Sequence, residues 1–191
     1  FFGEPGPTGR ELFTMAENDA EPTLIEIVPG AGEPDRLDEL VAWNGAAYFM
    51  ADDGVTGRQV WRSDGLTATR VSNLSGVDTP SDLTAGPGGV YFVFDEPSFG
   101  AEVWKTDGVS AQRVTDIHPL GGDAYPSYLT SAGARLYFSA QDPTGGYELW
   151  LTDGSQVARV ADLLPGVGSS GPTDLVAAGN RLVFAADDGV A

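Results

Sequence analysis

The sequence lacks cysteine and is nearly without histidine. Its 191 residues contain no Cys and a single His, His118. Neither disulfides nor a thiolate zinc site can therefore hold the fold. With one histidine and no motif around any serine, a hydrolytic triad has little support. No apolar run approaches the roughly 18 residues that suggest a membrane-spanning helix, so we predict no membrane insertion.

Positive charge is also scarce. Ten Lys and Arg face 28 Asp and Glu, which gives a net charge of −18. This charge opposes nucleic acid and anionic membranes as partners, because both would repel the chain. It permits cations, basic proteins or neutral ligands, and solubility alone would also explain it. Glycine and proline are abundant, at 26 and 13 residues, and they favour many short strands and turns over helices.

One module recurs along the chain with fixed internal spacing. In each complete copy, a leucine is followed nine residues later by a phenylalanine and twelve residues after that by a tryptophan. The markers are Leu40, Phe49 and Trp61, then Leu83, Phe92 and Trp104, then Leu129, Phe138 and Trp150, then Leu175 and Phe184. Length varies only between the tryptophan and the next leucine, as expected for stacked supersecondary units joined by loops.

The repeat divides the chain into successive units within one predicted domain, residues 1–191. The units span approximately 1–33, 34–76, 77–122, 123–168 and 169–191, and the first and last are incomplete. In the first unit Phe13 stands where the others have tryptophan. Because the pattern opens and ends in mid-unit, we expect the chain to be a window on a longer array.

Each complete unit predicts four short strands, which we name A to D in chain order. Strand A surrounds the leucine, strand B the phenylalanine and strand C the tryptophan, and strand D is an arginine-led stretch such as residues 113–117. These runs are rich in aromatic and β-branched residues. Asn-Gly and Asp-Gly pairs between them supply the positive φ that tight hairpins need. Each unit is therefore predicted to be an antiparallel meander.

Meanders of this kind, recurring every 43 to 48 residues, predict an all-β fold. The specific prediction is a β-propeller of four-stranded antiparallel blades. About four repeats are visible, which form either a complete ring or part of a larger one. A parallel β-helix is the rival architecture, but its coils are shorter and would not need hairpin turns at these positions.

The tryptophan stretch carries a family resemblance. Residues 148–155, Glu-Leu-Trp-Leu-Thr-Asp-Gly-Ser, resemble the signature of the ELWxxDGT repeat family of bacterial proteins. The flanking residues 136–140 and 160–166 are similar to it as well, and the resemblance covers nearly the whole chain. The signature's final threonine is replaced by Leu66, Val109 and Ser155. The resemblance implies propeller-like domains in large secreted or surface-attached proteins, and it transfers no catalytic residue.

Four residues directly before the strand A leucines form the first candidate site. They are Glu39, Asp82, Tyr128 and Asp174. Strand A lies innermost in a propeller, so these side chains would ring one mouth of the central channel. Three acids on such a ring could attract a cation or a basic ligand. A solvated entry to each strand is the simpler interpretation.

The second candidate is a calcium site at adjacent aspartates, Asp52 with Asp53 and Asp187 with Asp188. Calcium prefers six to eight oxygen ligands. However, the spaced aspartates of a calcium loop are missing, and neighbours along an extended strand point to opposite faces. Turn chemistry alone explains these residues. No cofactor is predicted, with Ca²⁺ left open.

Two further repeated positions have structural interpretations. The tryptophans are expected to pack between blades. An acid or amide stands two residues before each tryptophan, as Gln59, Glu102 and Glu148, and it is expected to bond or pair within the blade. Arg70, Arg113 and Arg159 stand nine residues after the tryptophans and are possible partners for these acids.

These observations predict a non-catalytic scaffold or adhesive binding module of a secreted or cell-surface bacterial protein. A protein or a glycan is the expected partner, within a larger chain or assembly. One alternative is a lectin-like propeller with a single shallow sugar pocket between blades. Another is a propeller enzyme, either a hydrolase or a quinone-dependent dehydrogenase. An enzyme should show a non-repeating cluster of titratable groups, and the sequence offers only the acidic ring.

Overall fold

The computed structural model describes residues 11–27, 35–75, 79–119, 121–143, 146–165 and 168–190. Within these ranges the ordered elements are all β-strands, as the sequence predicts. The described residues also include no helix long and apolar enough to cross a membrane.

The strands follow the order predicted from the repeat. In chain order they are β1 (Leu12–Thr14), β2 (Thr23–Ile25), β3 (Asp35–Trp43), β4 (Ala46–Asp52), β5 (Arg58–Ser63), β6 (Ala68–Arg70), β7 (Ser81–Gly86), β8 (Gly89–Glu96), β9 (Gly100–Thr106), β10 (Ala111–Arg113), β11 (Ser127–Ala132), β12 (Arg135–Gln141), β13 (Tyr147–Thr152), β14 (Val157–Ala161), β15 (Thr173–Ala178) and β16 (Arg181–Ala185).

The sheets are separate antiparallel meanders. β3–β6, β7–β10 and β11–β14 each form a four-stranded sheet with neighbours in chain order, while β1–β2 and β15–β16 are two-stranded. Each four-stranded sheet is one predicted A-to-D unit. Residues 1–10, which open the first predicted unit, lie outside the described residues. No described sheet closes on itself, so the ring of blades stays a prediction.

The chain divides into two compact units, residues 1–73 and 74–191. In the first unit a buried cluster forms around Leu12, Ile25, Leu37, Phe49 and Trp61. It joins the β1–β2 hairpin to the β3–β6 sheet.

The second unit has its own core. Tyr91 and Val103 from one four-stranded sheet pack with Leu129, Leu136 and Phe138 from the next. Burial of these apolar side chains is the main force that holds the two sheets face to face.

The phenylalanine and tryptophan of each unit lie directly opposite each other on strands B and C. The pairs are Phe49–Trp61, Phe92–Trp104 and Phe138–Trp150. All three phenylalanines are fully buried. The fixed spacing of twelve residues is therefore the register of the B–C hairpin, because only this spacing places the two aromatic rings side by side.

The tryptophan indoles are hydrogen-bonded in two of the three sheets. Trp61 donates to the Ala51 carbonyl at 3.2 Å, and Trp150 to the Ala140 carbonyl at 3.1 Å. In the middle sheet Phe94 replaces this alanine, and its ring packs edge-on against Trp104 with centroids 5.7 Å apart. The Trp104 Nε1 is buried without a hydrogen-bond partner.

The strand A leucines differ in burial. Leu83, Leu129 and Leu175 are buried, whereas Leu40 is 54% exposed. In the second unit β7, β11 and β15 lie side by side. The Thr84 hydroxyl donates to the Leu129 carbonyl at 3.4 Å, and the Thr130 hydroxyl donates to the Leu175 carbonyl at 3.1 Å. Strand A is thus the contact between successive sheets of this unit.

Candidate functional site

The Asp-Gly part of the signature builds the turn between strands C and D. The Thr152 hydroxyl accepts the Gly154 N–H at 3.0 Å, and Asp153 Oδ1 accepts the N–H groups of Ser155 and Gln156 at 2.8 Å. The same contacts recur at Ser63-Asp64-Gly65 and at Thr106-Asp107-Gly108. These backbone hydrogen bonds lower the pKa of all three aspartates. The motif is a turn-forming device, since its carboxylates are already bound by the backbone.

The acid two residues before each tryptophan is a buried bonding centre. Glu102 is fully buried and accepts the Thr115 hydroxyl and the N–H groups of Ile117, at 2.9 Å, and His118, at 3.3 Å. Burial raises the pKa of Glu102, and these hydrogen bonds offset only part of that effect. The Thr115 hydroxyl also accepts the Val103 N–H at 2.9 Å. This group therefore fixes strand D and the following loop to strand C.

The other two sheets use the same position with different partners. Gln59 accepts the Ser72 hydroxyl at 2.8 Å, whereas Glu148 accepts the Ser170 hydroxyl at 2.6 Å. Ala161 stands where the other sheets have Ser72 and Thr115, so the hydroxyl comes from the later loop instead.

The expected pairing of these acids with the strand D arginines is not found. Arg113 lies 3.2 Å from Asp116 and stacks on the Phe99 ring at 3.7 Å, and Arg159 lies 3.6 Å from Asp162. Over the described ranges, Glu102 and Glu148 form no ion pair. Hydroxyl and backbone donors are the actual partners of these buried acids.

The four predicted ring residues share an unusual backbone conformation. Glu39, Asp82, Tyr128 and Asp174 have φ of 54°, 59°, 58° and 54°. Each lies at a β-bulge, where the pairing of strand A with strand B shifts register. Asparagine and aspartate tolerate this left-handed conformation better than most residues. The bulge therefore supplies a structural reason for the aspartates Asp82 and Asp174.

The structure places the ring residues in different surroundings. Glu39 lies 3.8 Å from Arg58 in the first unit. Asp82, Tyr128 and Asp174 occupy the equivalent position of three neighbouring strands in the second unit. Burial raises the pKa of Asp82, although its side chain as a whole is exposed.

Beside each bulge, three positions of the sheet hold different residues from one repeat to the next. In the first unit they are Asp38, Met50 and Arg58. The Arg58 guanidinium donates to the Asp38 carboxylate and lies 3.5 Å from the Met50 sulfur. The Arg58 side chain is only 8% exposed. An ion pair therefore fills the space beside this bulge.

In the second unit the same positions are small or aromatic, and the space is open. Ser81, Val93 and Ala101 line a cavity of about 310 Å³. Ser127, Ser139 and Tyr147, one repeat later, line a cavity of about 520 Å³. Thr173 and Ala185 line a third cavity of about 580 Å³. The cavities thus recur with the repeat, although their linings do not.

The middle cavity is rich in tyrosine, and we call it the tyrosine groove. Its walls are formed by the following side chains: Tyr125, Pro126, Tyr128, Tyr147 and Pro172. Tyr125 and Tyr128 are 52% and 49% exposed. The volume is within the range of small-ligand sites. The two neighbouring cavities have one tyrosine or none, so the tyrosine groove has the most aromatic lining of these three cavities.

The loops between strand D and the next strand A hold the groove in shape. Asp123 Oδ1 accepts the Ala101 N–H at 3.0 Å, and Asp123 Oδ2 accepts the Tyr125 hydroxyl at 2.8 Å. This hydrogen bond raises the pKa of the Tyr125 phenol. One repeat later, Ser169 Oγ accepts the Tyr147 N–H at 2.9 Å. Each loop is thus bonded to strand C of its own sheet.

The aspartates considered for calcium also bond to turns. Asp52 Oδ1 accepts the Gly54 N–H at 2.8 Å, and Asp187 Oδ1 accepts the Gly189 N–H at 2.8 Å. Desolvation acts to raise the pKa of Asp53, but N–H donors led by Thr56 outweigh it and lower the pKa. Asp188 accepts the Val190 N–H at 2.9 Å. Among the residues with described coordinates, no three acidic or histidine side chains cluster as metal ligands would.

Sequence reasoning found Tyr128 and missed Tyr125 and Tyr147. Tyr147 aligns with Ala101 and Arg58, and Tyr125 precedes its sheet in a variable loop. The available signal was the departure from the repeat, since a tyrosine replaces unlike residues at an otherwise regular position.

Comparisons with protein-family models, with curated proteins and with solved structures found no match. The geometry of the chain is therefore the basis for a functional proposal.

Proposed function

We propose that this chain is a non-catalytic binding module of a secreted or cell-surface bacterial protein, in which the four-stranded sheets are the blades of a β-propeller. The resemblance of residues 148–155 to the ELWxxDGT signature supports this assignment. So do the side-by-side A strands of β7, β11 and β15, because successive propeller blades meet at their inner strands. The module acts as a scaffold that presents a binding surface.

One observation carries the proposal: the turns and the Phe–Trp pairs are the same in three sheets, whereas the residues beside the bulge differ. The Ser/Thr-Asp-Gly turns and Phe–Trp pairs repeat with the same contacts in three sheets. The positions beside the bulge change from a buried ion pair to an open groove with three tyrosines. Repeat proteins that bind ligands combine these properties, since regular stacking leaves a few surface positions free to vary.

A lectin-like module is the second candidate. A single groove among the equivalent cavities combines Tyr125, Tyr128 and Tyr147, which matches the expectation of one shallow sugar pocket. A propeller enzyme has less support. Tyrosines are the only titratable residues that line the groove, so it lacks an acid–base pair.

The first unit provides a natural way to fill the groove. We would replace Ser127 with Asp, Ser139 with Met and Tyr147 with Arg, which copies Asp38, Met50 and Arg58 into the equivalent positions. As a control for the added arginine, Val109→Arg places one arginine on an exposed C–D turn, where Val109 is 82% exposed. The native protein and both variants are screened on a peptide array and a glycan array.

We expect the native protein and Val109→Arg to bind the same ligands, and the filled variant to lose them while it unfolds in a single transition like the native protein. Retention of every ligand by the filled variant would exclude the groove as the site. Silence of the native protein on both arrays would refute a binding function, and turnover of any hydrolase substrate would favour an enzyme instead.

A further inference from the structure

We propose that the tyrosine groove binds an extended peptide that carries prolines and basic residues. This inference rests on the binding function proposed above and specifies its ligand.

The lining favours proline rings over sugars. The groove has three tyrosines and two prolines, and apart from the tyrosine hydroxyls its polar side chains are those of Ser127, Ser139 and Thr173. A sugar needs several hydrogen bonds to orient its hydroxyls, whereas a polyproline II peptide docks on aromatic side chains with few polar contacts. Tyr125 and Tyr128 offer half-exposed rings for this purpose.

The tyrosines are held in place before any ligand arrives. Tyr125 and Tyr128 both have positive φ, 44° and 58°, a backbone conformation that residues other than glycine adopt only rarely. Asp123 holds the Tyr125 phenol by a hydrogen bond of 2.8 Å. An aromatic side chain that is held before binding loses little entropy on binding, and this raises the affinity for an extended ligand.

Two cavities provide successive binding positions. The tyrosine groove and the neighbouring cavity share the walls Val93, Ala101 and Tyr125. They belong to sheets that pack face to face, and packed sheets lie about 10 Å apart. In a polyproline II helix every third residue returns to the same side after about 9 Å. Prolines three positions apart would therefore reach both cavities across Tyr125.

The surrounding charge selects basic residues between or beside the prolines. Asp95 lines the neighbouring cavity. Asp82 and Asp174 directly follow the cavity-lining residues Ser81 and Thr173. With a net charge of −18, the chain repels acidic ligands and attracts basic ones.

The test uses fluorescence polarisation with a labelled synthetic peptide that has two prolines three positions apart and an arginine at each end. Two control peptides replace the prolines with alanine or the arginines with glutamate. Tyr128→Ala removes a groove tyrosine, and Tyr137→Ala removes a half-buried tyrosine outside the groove. Circular dichroism confirms that each variant is folded.

We expect Tyr128→Ala to weaken binding by about 30-fold, the loss typical of an aromatic anchor. Tyr137→Ala should bind like the native protein, both control peptides should bind more weakly, and added salt should weaken binding. Equal binding of the proline and alanine peptides, or by the native protein and Tyr128→Ala, would overturn the inference.

A sugar probe separates this inference from the function on which it rests. If maltohexaose binds, Tyr128→Ala abolishes that binding and no peptide binds, the ligand is a glycan. The binding function then stands and the peptide inference is wrong. If neither probe binds and the arrays are also silent, both proposals fail.

Discussion

Glu102 shows at the scale of one residue how the framework uses a buried acid. It is fully buried, its donors are neutral, and burial raises its pKa above the ordinary value of 4.5. The folded chain therefore holds this proton more tightly than the unfolded chain does. The resulting stabilisation is complete below the unfolded pKa and is lost as the pH rises through the folded pKa.

Replacing Glu102 tests this reading. Glu102→Gln copies Gln59 of the first unit and keeps an acceptor for Ile117 and His118, so we expect it to remove the loss of stability that the native protein shows over the pH range above the ordinary carboxyl pKa. Glu102→Ala leaves buried hydrogen-bond donors without an acceptor and should lower the free energy of unfolding by about 1–3 kcal/mol. Urea unfolding across this pH range measures both effects. A Gln variant with the native pH dependence would contradict the assignment.

Substitutions at Asp82 test whether the backbone conformation at the bulge determines which residue type is tolerated there. Its φ of 59° suits glycine and is strained for a β-branched residue. Asp82→Val should therefore lower stability by about 1–2 kcal/mol relative to Asp82→Gly. Both variants lose the same charge, so equal stabilities in urea unfolding would show that conformation does not select the residue here.

At the scale of the element, the strand B and strand C hairpin is the rigid part of each sheet. Phe138 is fully buried opposite Trp150, whose indole donates to Ala140 at 3.1 Å. The signature ends this hairpin with a turn whose hydroxyl and carboxylate take up three backbone N–H groups. Such local bonding explains why the motif recurs although its final residue varies.

Replacing a buried aromatic residue of the repeat with alanine should cost much more stability than replacing an exposed one. Phe138→Ala opens a cavity and should cost about 3–5 kcal/mol of stability. Phe13 occupies the tryptophan position of the first unit but is 55% exposed, so Phe13→Ala should change stability by about 0.5 kcal/mol or less. Chemical denaturation of both variants checks the contrast, and similar losses would contradict the assigned packing.

The strands could be predicted because the signals that form them are local. A spacing of twelve residues fixes the Phe–Trp register, and Asp-Gly pairs fix the turns. Leu40 shows where this local reading fails. It has the same spacing as Leu83 yet is exposed, because burial depends on what packs against the strand and the repeat does not encode that.

At the scale of the whole molecule, the candidate site could be predicted only in part. Tyr128 was found from its place before a strand A leucine. Tyr125 and Tyr147 come from a loop and from another strand, and Pro172 comes from the following loop. Only the contacts between neighbouring sheets bring these segments together. The spacing of residues within one repeat does not predict contacts between different sheets.

We propose the tyrosine groove as the binding surface, and the tyrosines themselves can report on ligand binding there. The chain has six tyrosines: three line the groove, whereas Tyr48, Tyr91 and Tyr137 lie outside it. We would label the tyrosine rings for NMR and add the proline-arginine peptide. We expect the ring signals of Tyr125, Tyr128 and Tyr147 to shift and those of the other three tyrosines to keep their positions. Saturable binding that leaves the groove signals unmoved would contradict it.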